Sequence, residues 1–386
     1  MGAQLLLALT ITATPVTWQA AVTTEALERT PEPGEASTVA TAELALAPKL
    51  GALFGNGDAV LALGYAPRLT LVDPQGIHQL EVLHQATVDA TFRPDRAWQI
   101  LVGEVYARGN TNLTPLQRPL TTAALPAGQL PDVASIDYLG STTRASLIGQ
   151  LSRRLQLTIT PSYSLSGGAT PAARLELAEQ RTPRLDTLLM WRITGAQELG
   201  VGTATWHTDT SDGVSADVLE ASGTWRRQLD ERSRLTAAAG AGAYHSSGTG
   251  IADAPWLAAP IALVEYRQGL GDRSEKLEAL AQIALGPSID PISGLAAERV
   301  DGSGGVEFTP LQKLRLTERA STGTTLDGSQ QAYAQLESTA AWTVSRPVLL
   351  AASARGAYLT SGATGPAGPV QWLVSVSATV VEAGVP

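Results

Sequence analysis

Val370-Gln371-Trp372-Leu373-Val374-Ser375-Val376-Ser377-Ala378-Thr379-Val380-Val381 is the stretch whose reading decides the fold. Val370, Trp372, Val374, Val376, Ala378 and Val380 fall on one face of an extended strand. Gln371, Ser375, Ser377 and Thr379 fall on the other, with Leu373 the one apolar exception. Successive side chains of a strand point to opposite faces, so the segment has one greasy side and one wet side. About ten such residues, tilted, span the hydrocarbon core of a bilayer.

The same two-residue period recurs from Thr41 onward. Leu80, Val82, Ala86, Val88, Ala90 and Phe92 alternate with Gln79, Glu81, Gln85, Thr87 and Asp89. Leu155, Leu157, Ile159, Pro161, Tyr163 and Leu165 alternate with Gln156, Thr158, Thr160, Ser162, Ser164 and Ser166. Val300, Gly302, Gly304, Val306 and Phe308 alternate with Arg299, Asp301, Ser303 and Glu307. A helix would need apolar spacings of three and four, which these runs lack.

Two classes of turn separate the strands. One is short and basic or marked by Pro, as at 93–96, 152–154, 228–233, 270–275, 309–312 and 345–347. The other is longer and tends to be rich in Gly, Ser and Thr, as at 110–132, 167–175, 246–255, 287–294 and 360–368. Short turns on one rim and long loops on the other are what an up-and-down transmembrane barrel requires, the short set periplasmic and the long set extracellular. Seventeen segments read as strands. Closure with both ends on one side needs an even number, so the expectation is sixteen to eighteen, with segment 41–50 an extra strand, half of a further pair with 20–36, or a lead-in inside the lumen.

Composition agrees. Charged residues are 16 % and hydrophobic residues 44 % of the 386, with 37 Gly. A soluble protein carries about 25 % charged residues. The net charge of -9 speaks against nucleic acid as a partner. The absence of cysteine excludes disulfide scaffolds and thiolate metal sites. Residues 1–20, with the apolar run Leu5 to Val16, read as a signal peptide, residues 21–37 as a polar lead-in, and 38–386 as the barrel.

Taken together, the pattern over roughly 40–382 resembles bacterial outer-membrane β-barrel proteins, porin-like at the level of the class. The resemblance implies an all-β, antiparallel, up-and-down barrel in the outer membrane of a Gram-negative bacterium. It implies outer-membrane lipid and the barrel-assembly machinery as partners, and small polar solutes as cargo. Barrels of this class usually end on an aromatic residue that the insertion machinery reads. Here the last strand is followed by Glu382-Ala383-Gly384-Val385-Pro386.

The aromatics suit two girdles. Trp98 and Tyr106 stand eight apart on one face, and Trp256 and Tyr266 ten apart. At ~3.3 Å per residue and a tilt of ~40°, that rise is ~20–25 Å, the height of an apolar band. The expected girdle residues are Trp98, Tyr106, Trp191, Trp206, Trp225, Trp256, Tyr266, Trp342, Tyr358 and Trp372. Tyr333 sits at odd spacing from Trp342 and should face the other way.

The expected lumen-lining residues are Arg68, Glu81, Asp89, Arg299, Asp301, Glu307, Lys313, Arg315, Arg319, Glu337 and Arg355. A barrel this wide holds water, and charges on its wall either select solutes or pair across strands. No catalytic, cofactor or metal site is expected. A lipid-acting hydrolase would need a base within reach of a hydroxyl and a third group to orient it. His207 with Asp209 or Asp212, and His245 beside Ser246 and Ser247, are the nearest approach to that. Four scattered histidines give no metal spacing. The alternatives to a pore are a structural or surface-binding barrel and, less well supported, that hydrolase. A soluble propeller would show a blade repeat of about 40–50 residues, which is absent.

Overall fold

The computed structural model describes residues 17–29, 39–55, 58–73, 79–111, 136–248, 255–270, 276–289, 294–311, 313–326, 332–345, 348–360 and 371–383. The first half holds β1 (Thr17–Arg29), β2 (Val39–Gly55), β3 (Ala59–Tyr65), β4 (Arg68–Asp73), β5 (Gln79–Phe92), β6 (Trp98–Thr111), β7 (Ile136–Gln150), β8 (Leu155–Gly168), a short helix α1 (Pro171–Glu176) and β9 (Gln180–Arg192). The second holds β10 (Gln197–Thr210), β11 (Val214–Gln228), β12 (Ser233–Gly248), β13 (Leu257–Leu270), β14 (Lys276–Ile289), β15 (Ala296–Leu311), β16 (Leu314–Thr325), β17 (Ala332–Ser345), β18 (Val348–Thr360) and β19 (Gln371–Ala383).

Successive strands pair antiparallel, and β19 pairs with β1 from Thr17↔Ala383 to Arg29↔Gln371, which closes the ring. β3 and β4 are two halves of one crossing. Both pair with β2 on one side and β5 on the other. Pro67 stands between them, and a residue without an N–H cannot continue the ladder. Among the described residues, nineteen strands with two of them sharing a crossing make eighteen crossings, at the upper end of the expected range. A closed ring leaves no unpaired edge, the condition for sheet in hydrocarbon.

At the start of the chain one expectation is corrected and one of three alternatives is selected. Thr17–Arg29 is a barrel strand, so the boundary placed at residue 20 falls inside β1 and the first half of the lead-in is wall. The segment 41–50 is half of a further pair, and its partner is this strand. The composition of 21–37 suggested a linker, yet Trp18, Ala20, Val22 and Ala26 keep the two-residue period. The register sets Val22 opposite Leu46 and Ala378, and Ala26 opposite Ala42 and Val374. Residues 1–16 and most of the loop 110–132 lie outside the described residues.

The outward row is the apolar one. Val88, Val102, Leu185, Leu189, Val201, Leu219, Val264, Ile283, Val306, Leu336, Val374 and Val376 are all exposed. A row of this length in contact with water would be unfavourable by roughly 25 cal/mol per Å², and lipid removes that penalty. Glu104 and Glu318 interrupt it. Glu104 accepts from Ser141 Oγ at 2.6 Å and from Thr143 Oγ1, and Glu318 accepts from Ser338 Oγ at 2.5 Å. Each carboxylate is thus bonded by a hydroxyl on the next strand, which lowers the cost of holding it at membrane depth.

The Asp212-Gly213 turn forms as expected. Gly213 takes φ 88°, a conformation that favours glycine, and its N–H donates to the Thr210 carbonyl at 3.1 Å.

Candidate functional site

The site is the inner row of the barrel, and part of that row is covered from within. The ladder between β13 and β14 stops at Ala262↔Leu285, while the ladder between β14 and β15 runs on to Ile289↔Ala296. The end of this hairpin therefore leaves the wall and lies across the inner faces of β10, β11 and β12. Pro287 rests over Gly242, where a Cβ would stand 3.0 Å from the proline ring. Gly294 lies beside Thr210 and Val214. Ile289 and Ala296 pack on Trp206, Val218, Tyr244 and Ala259. Val218 is 0 % exposed, a value that a barrel wall facing water would not show.

A second insert sits on β7 and β8. Thr170 caps α1, its Oγ1 accepting from the Ala173 N–H at 3.2 Å. Ala173 and Leu177 then pack on Ile136 and Tyr138. Glu179 is buried just beyond the helix, held by Arg174 at 2.5 Å and Arg181 at 2.6 Å.

A cavity of about 860 Å³ lies against the inner wall from β14 to β17, edged by Glu278, Ser303, Glu307, Thr317, Arg319, Ser321, Gln335 and Glu337 among others. Most of the expected lumen charges share this wall. Arg299 bonds Asp301 at 2.7 Å and lies 4.8 Å from the Tyr333 ring, and the Tyr333 hydroxyl donates to Asp301 at 3.1 Å. Tyr333 thus faces away from Trp342, as its odd spacing predicts. Arg315 meets Glu307 at 2.5 Å and Arg355 meets Glu337 at 2.9 Å, both between strands. Mixed charge is here used mainly in pairs. Arg319 stands opposite Glu337 in register, with Gly305 on its other side.

Arg68, Glu81 and Asp89 share the inner parity on β4 and β5, across the barrel from that wall in chain order. Thr70 is opposite Glu81 in register, and both are buried. Lys313 departs from expectation. It precedes β16 in the turn, exposed, with its carbonyl accepting from the Thr343 N–H at 2.8 Å, so it belongs to the short-turn rim and not to the wall.

The girdle residues divide. Trp191 and Trp225 flank Leu199 in register, and Trp98 and Trp342 stand beside short turns in the same way. Trp191 and Trp342 are exposed. Tyr106 lies in the outward row opposite Ala86 and Ser141. Tyr266 lies outward opposite Leu235 and Ala281. Trp256 is exposed and stacks on His245 at 5.6 Å. Tyr358 and Trp372 are opposite Ala334 and Gly356, and their side chains lie outside the described residues.

Trp206 is not a girdle residue. It stands seven residues from Leu199, an odd number, and so points inward. It is 9 % exposed, under the inserted hairpin, with the Arg184 guanidinium 4.4 Å from its ring. Its parity was readable in the sequence. Arg184 itself pairs with Asp186 at 2.8 Å. Nothing local distinguishes Gln335 from other wall residues, and Ser246 stood out in the sequence only as a neighbour of His245.

His207 takes two carboxylate partners. His207 Nδ1 meets Asp217 at 2.8 Å and Nε2 meets Asp209 at 3.0 Å, so both ring nitrogens are engaged by carboxylates and neither faces a hydroxyl. Asp212 is instead bonded by Thr210 Oγ1. Among the described residues no group of side chains has the makings of a metal site.

A sequence model for exopolysaccharide export proteins matches residues 8–386. The chain belongs to the EpsX exopolysaccharide export family. No curated protein matches this EpsX-family chain. Among solved structures, Pseudomonas aeruginosa OpdO aligns at 12 % identity and a TM-score of 0.50, over 95 % of this chain and 97 % of that one. The outer membrane protein opdK from the same organism aligns at 13 % identity and a TM-score of 0.47, over 95 % and 99 %. At 12 % identity the likeness to OpdO speaks to fold alone. An eighteen-crossing barrel with an apolar outer row, in an export family, is an integral protein of the Gram-negative outer membrane.

Proposed function

We propose that this EpsX-family barrel is a water-filled passage, and that its cargo is an exopolysaccharide on its way out of the cell. The observation that carries the reading is the asymmetry of the interior. The stretch of wall from β10 to β12 is covered by the β14–β15 hairpin end, and the stretch further round, from β14 to β17, lines a cavity of about 860 Å³ edged by hydroxyls, an amide and paired charges. A barrel of 16–18 strands is wide enough for an aqueous channel, and an insert that narrows it turns a hole into a conduit with a preferred path. Hydroxyl and amide groups on the wall exchange hydrogen bonds with a sugar chain at little net cost, because water offered the chain the same bonds. Small polar solutes would share that path. The family's export role supports a glycan as the cargo. No catalytic role is part of this proposal.

The test has two arms. Pure protein in a planar bilayer should give discrete ion steps, and a strain lacking the gene should retain its polysaccharide inside the envelope. A silent bilayer together with undiminished export would overturn the proposal and leave a structural or surface-binding barrel.

A further inference from the structure

Resting on the conduit reading, we propose that the inner wall of β15–β17 carries a binding subsite for one ring of a neutral glycan, built from Gln335, Glu337, Arg319, Ser321 and Ser303. Two adjacent registers bring these residues together. Ser303, Ser321 and Gln335 stand in one row across three strands. Gly305, Arg319 and Glu337 stand in the next. Neighbouring strands are ~4.8 Å apart and same-face residues ~6.8 Å apart along a strand, so the two rows form a small grid of polar groups. Gly305 leaves one corner of the grid without a side chain.

The second observation is the state of Gln335. It is 7 % exposed, it lines the cavity, and neither its Oε1 nor its Nε2 has a partner among the described residues. Glu337 repeats the pattern in part. Its Oε1 takes a hydrogen bond from Arg355 at 2.9 Å, while its buried Oε2 has none. Buried polar groups are nearly always bonded, so three unmet atoms side by side on a cavity wall point to a ligand that meets them.

The chemistry of the set selects the ligand. A primary amide offers two donors and an acceptor, a carboxylate oxygen accepts, a guanidinium donates and the serine hydroxyls do both. Neighbouring hydroxyls on a sugar ring donate and accept in the same alternation. Glu337 is paired with Arg355 and Glu307 with Arg315, and of the charges that remain on the cavity edge Arg319 and Glu278 are of opposite sign. The grid therefore has no excess of either sign, and a neutral ring suits it better than a uronate or an amino sugar.

The experiment is calorimetric titration of the detergent-solubilised full chain with a neutral hexasaccharide of glucose, with a hexa-uronate as the comparison. The wild-type chain should bind the neutral oligomer. Gln335→Leu should weaken that binding at least tenfold, and Glu337→Gln and Ser321→Ala each by a smaller factor, all with unchanged heat-modifiable migration on gels. If Gln335→Leu does not fold, the losses in the other two variants decide the matter. Wild-type affinity retained in every folded variant, absence of binding by the wild type, or a clear preference for the uronate would overturn the subsite. Ion conductance of the same preparations reports on the conduit alone, so a conducting barrel that fails to bind separates the two failures.

Discussion

The Ala296 N–H donates to Ser246 Oγ at 2.8 Å, a bond between residues fifty apart in the chain. It ties the start of β15 to the inner face of β12 and holds the hairpin end inside the barrel. Ser246→Ala would leave that N–H without its acceptor, a loss of about 1 kcal/mol. The hairpin should then spend about fivefold more time away from the wall, and single-channel records of the variant should show a larger mean conductance or added open levels. Records that match the wild type would mean that the apolar contacts of Ile289 and Ala296 suffice alone.

Ile283 and Ser303 lie on adjoining strands but on opposite rows, Ile283 being opposite Gly302 in register. Ile283 is 64 % exposed. Ile283→Arg should destabilise the folded barrel in bilayers by about 2–4 kcal/mol. Ser303→Arg should leave stability nearly unchanged and alter ion selectivity instead. Because the chain has no cysteine, Ile283→Cys and Ser303→Cys also give clean single labels, the first accessible to lipid-borne quenchers and the second to water-soluble thiol reagents.

Trp206 and Trp191 make a matched pair of tryptophans with different surroundings. Trp206→Ala empties the space beneath the inserted hairpin and should cost about 3–5 kcal/mol in denaturant titrations. Trp191→Ala, on the lipid belt, should cost clearly less. Equal losses would place the two rings in equivalent environments and contradict the parity assignment.

Asp230 lies in the short turn between β11 and β12. It accepts from Ser233 Oγ at 2.7 Å and from the Arg232 N–H at 2.7 Å. The Ser233 hydroxyl first, and then the Arg232 N–H, hold its carboxyl below the ordinary value. A depressed folded-state pKa adds stability above the unfolded pKa, and that stability disappears as pH falls through the folded value. Protection of the Arg232 amide, its exchange relative to the intrinsic rate at each pH, should therefore be full above about pH 4 and fall in more acidic solution. Asp230→Asn should abolish that pH dependence while leaving exchange in β12 unchanged.

How much of this was legible beforehand follows from how far each feature reaches along the chain. The alternation of Leu155 to Ser166 fixes a strand and its two faces with no outside help, because the period of two is a property of the backbone. The class of turn, the outward rows and the inward aim of Tyr333 follow in the same way. β1 escaped because its glutamates and following prolines outweighed a weaker alternation, and its identity as wall rests on partners at both ends of the chain, Leu46 and Ala378.

By itself, then, the order of residues determined that this protein is a sheet with one lipid face and one wet face, turned back and forth enough times to close. Which strand closes it, which hairpin folds inward over Trp206 and Val218, and which wall lines the cavity were decided only by the tertiary structure. The reason is physical. Face and turn depend on neighbours two to four residues away, whereas the place of a hairpin end depends on contacts such as Ala296 with Ser246, which exist only once the ring has formed.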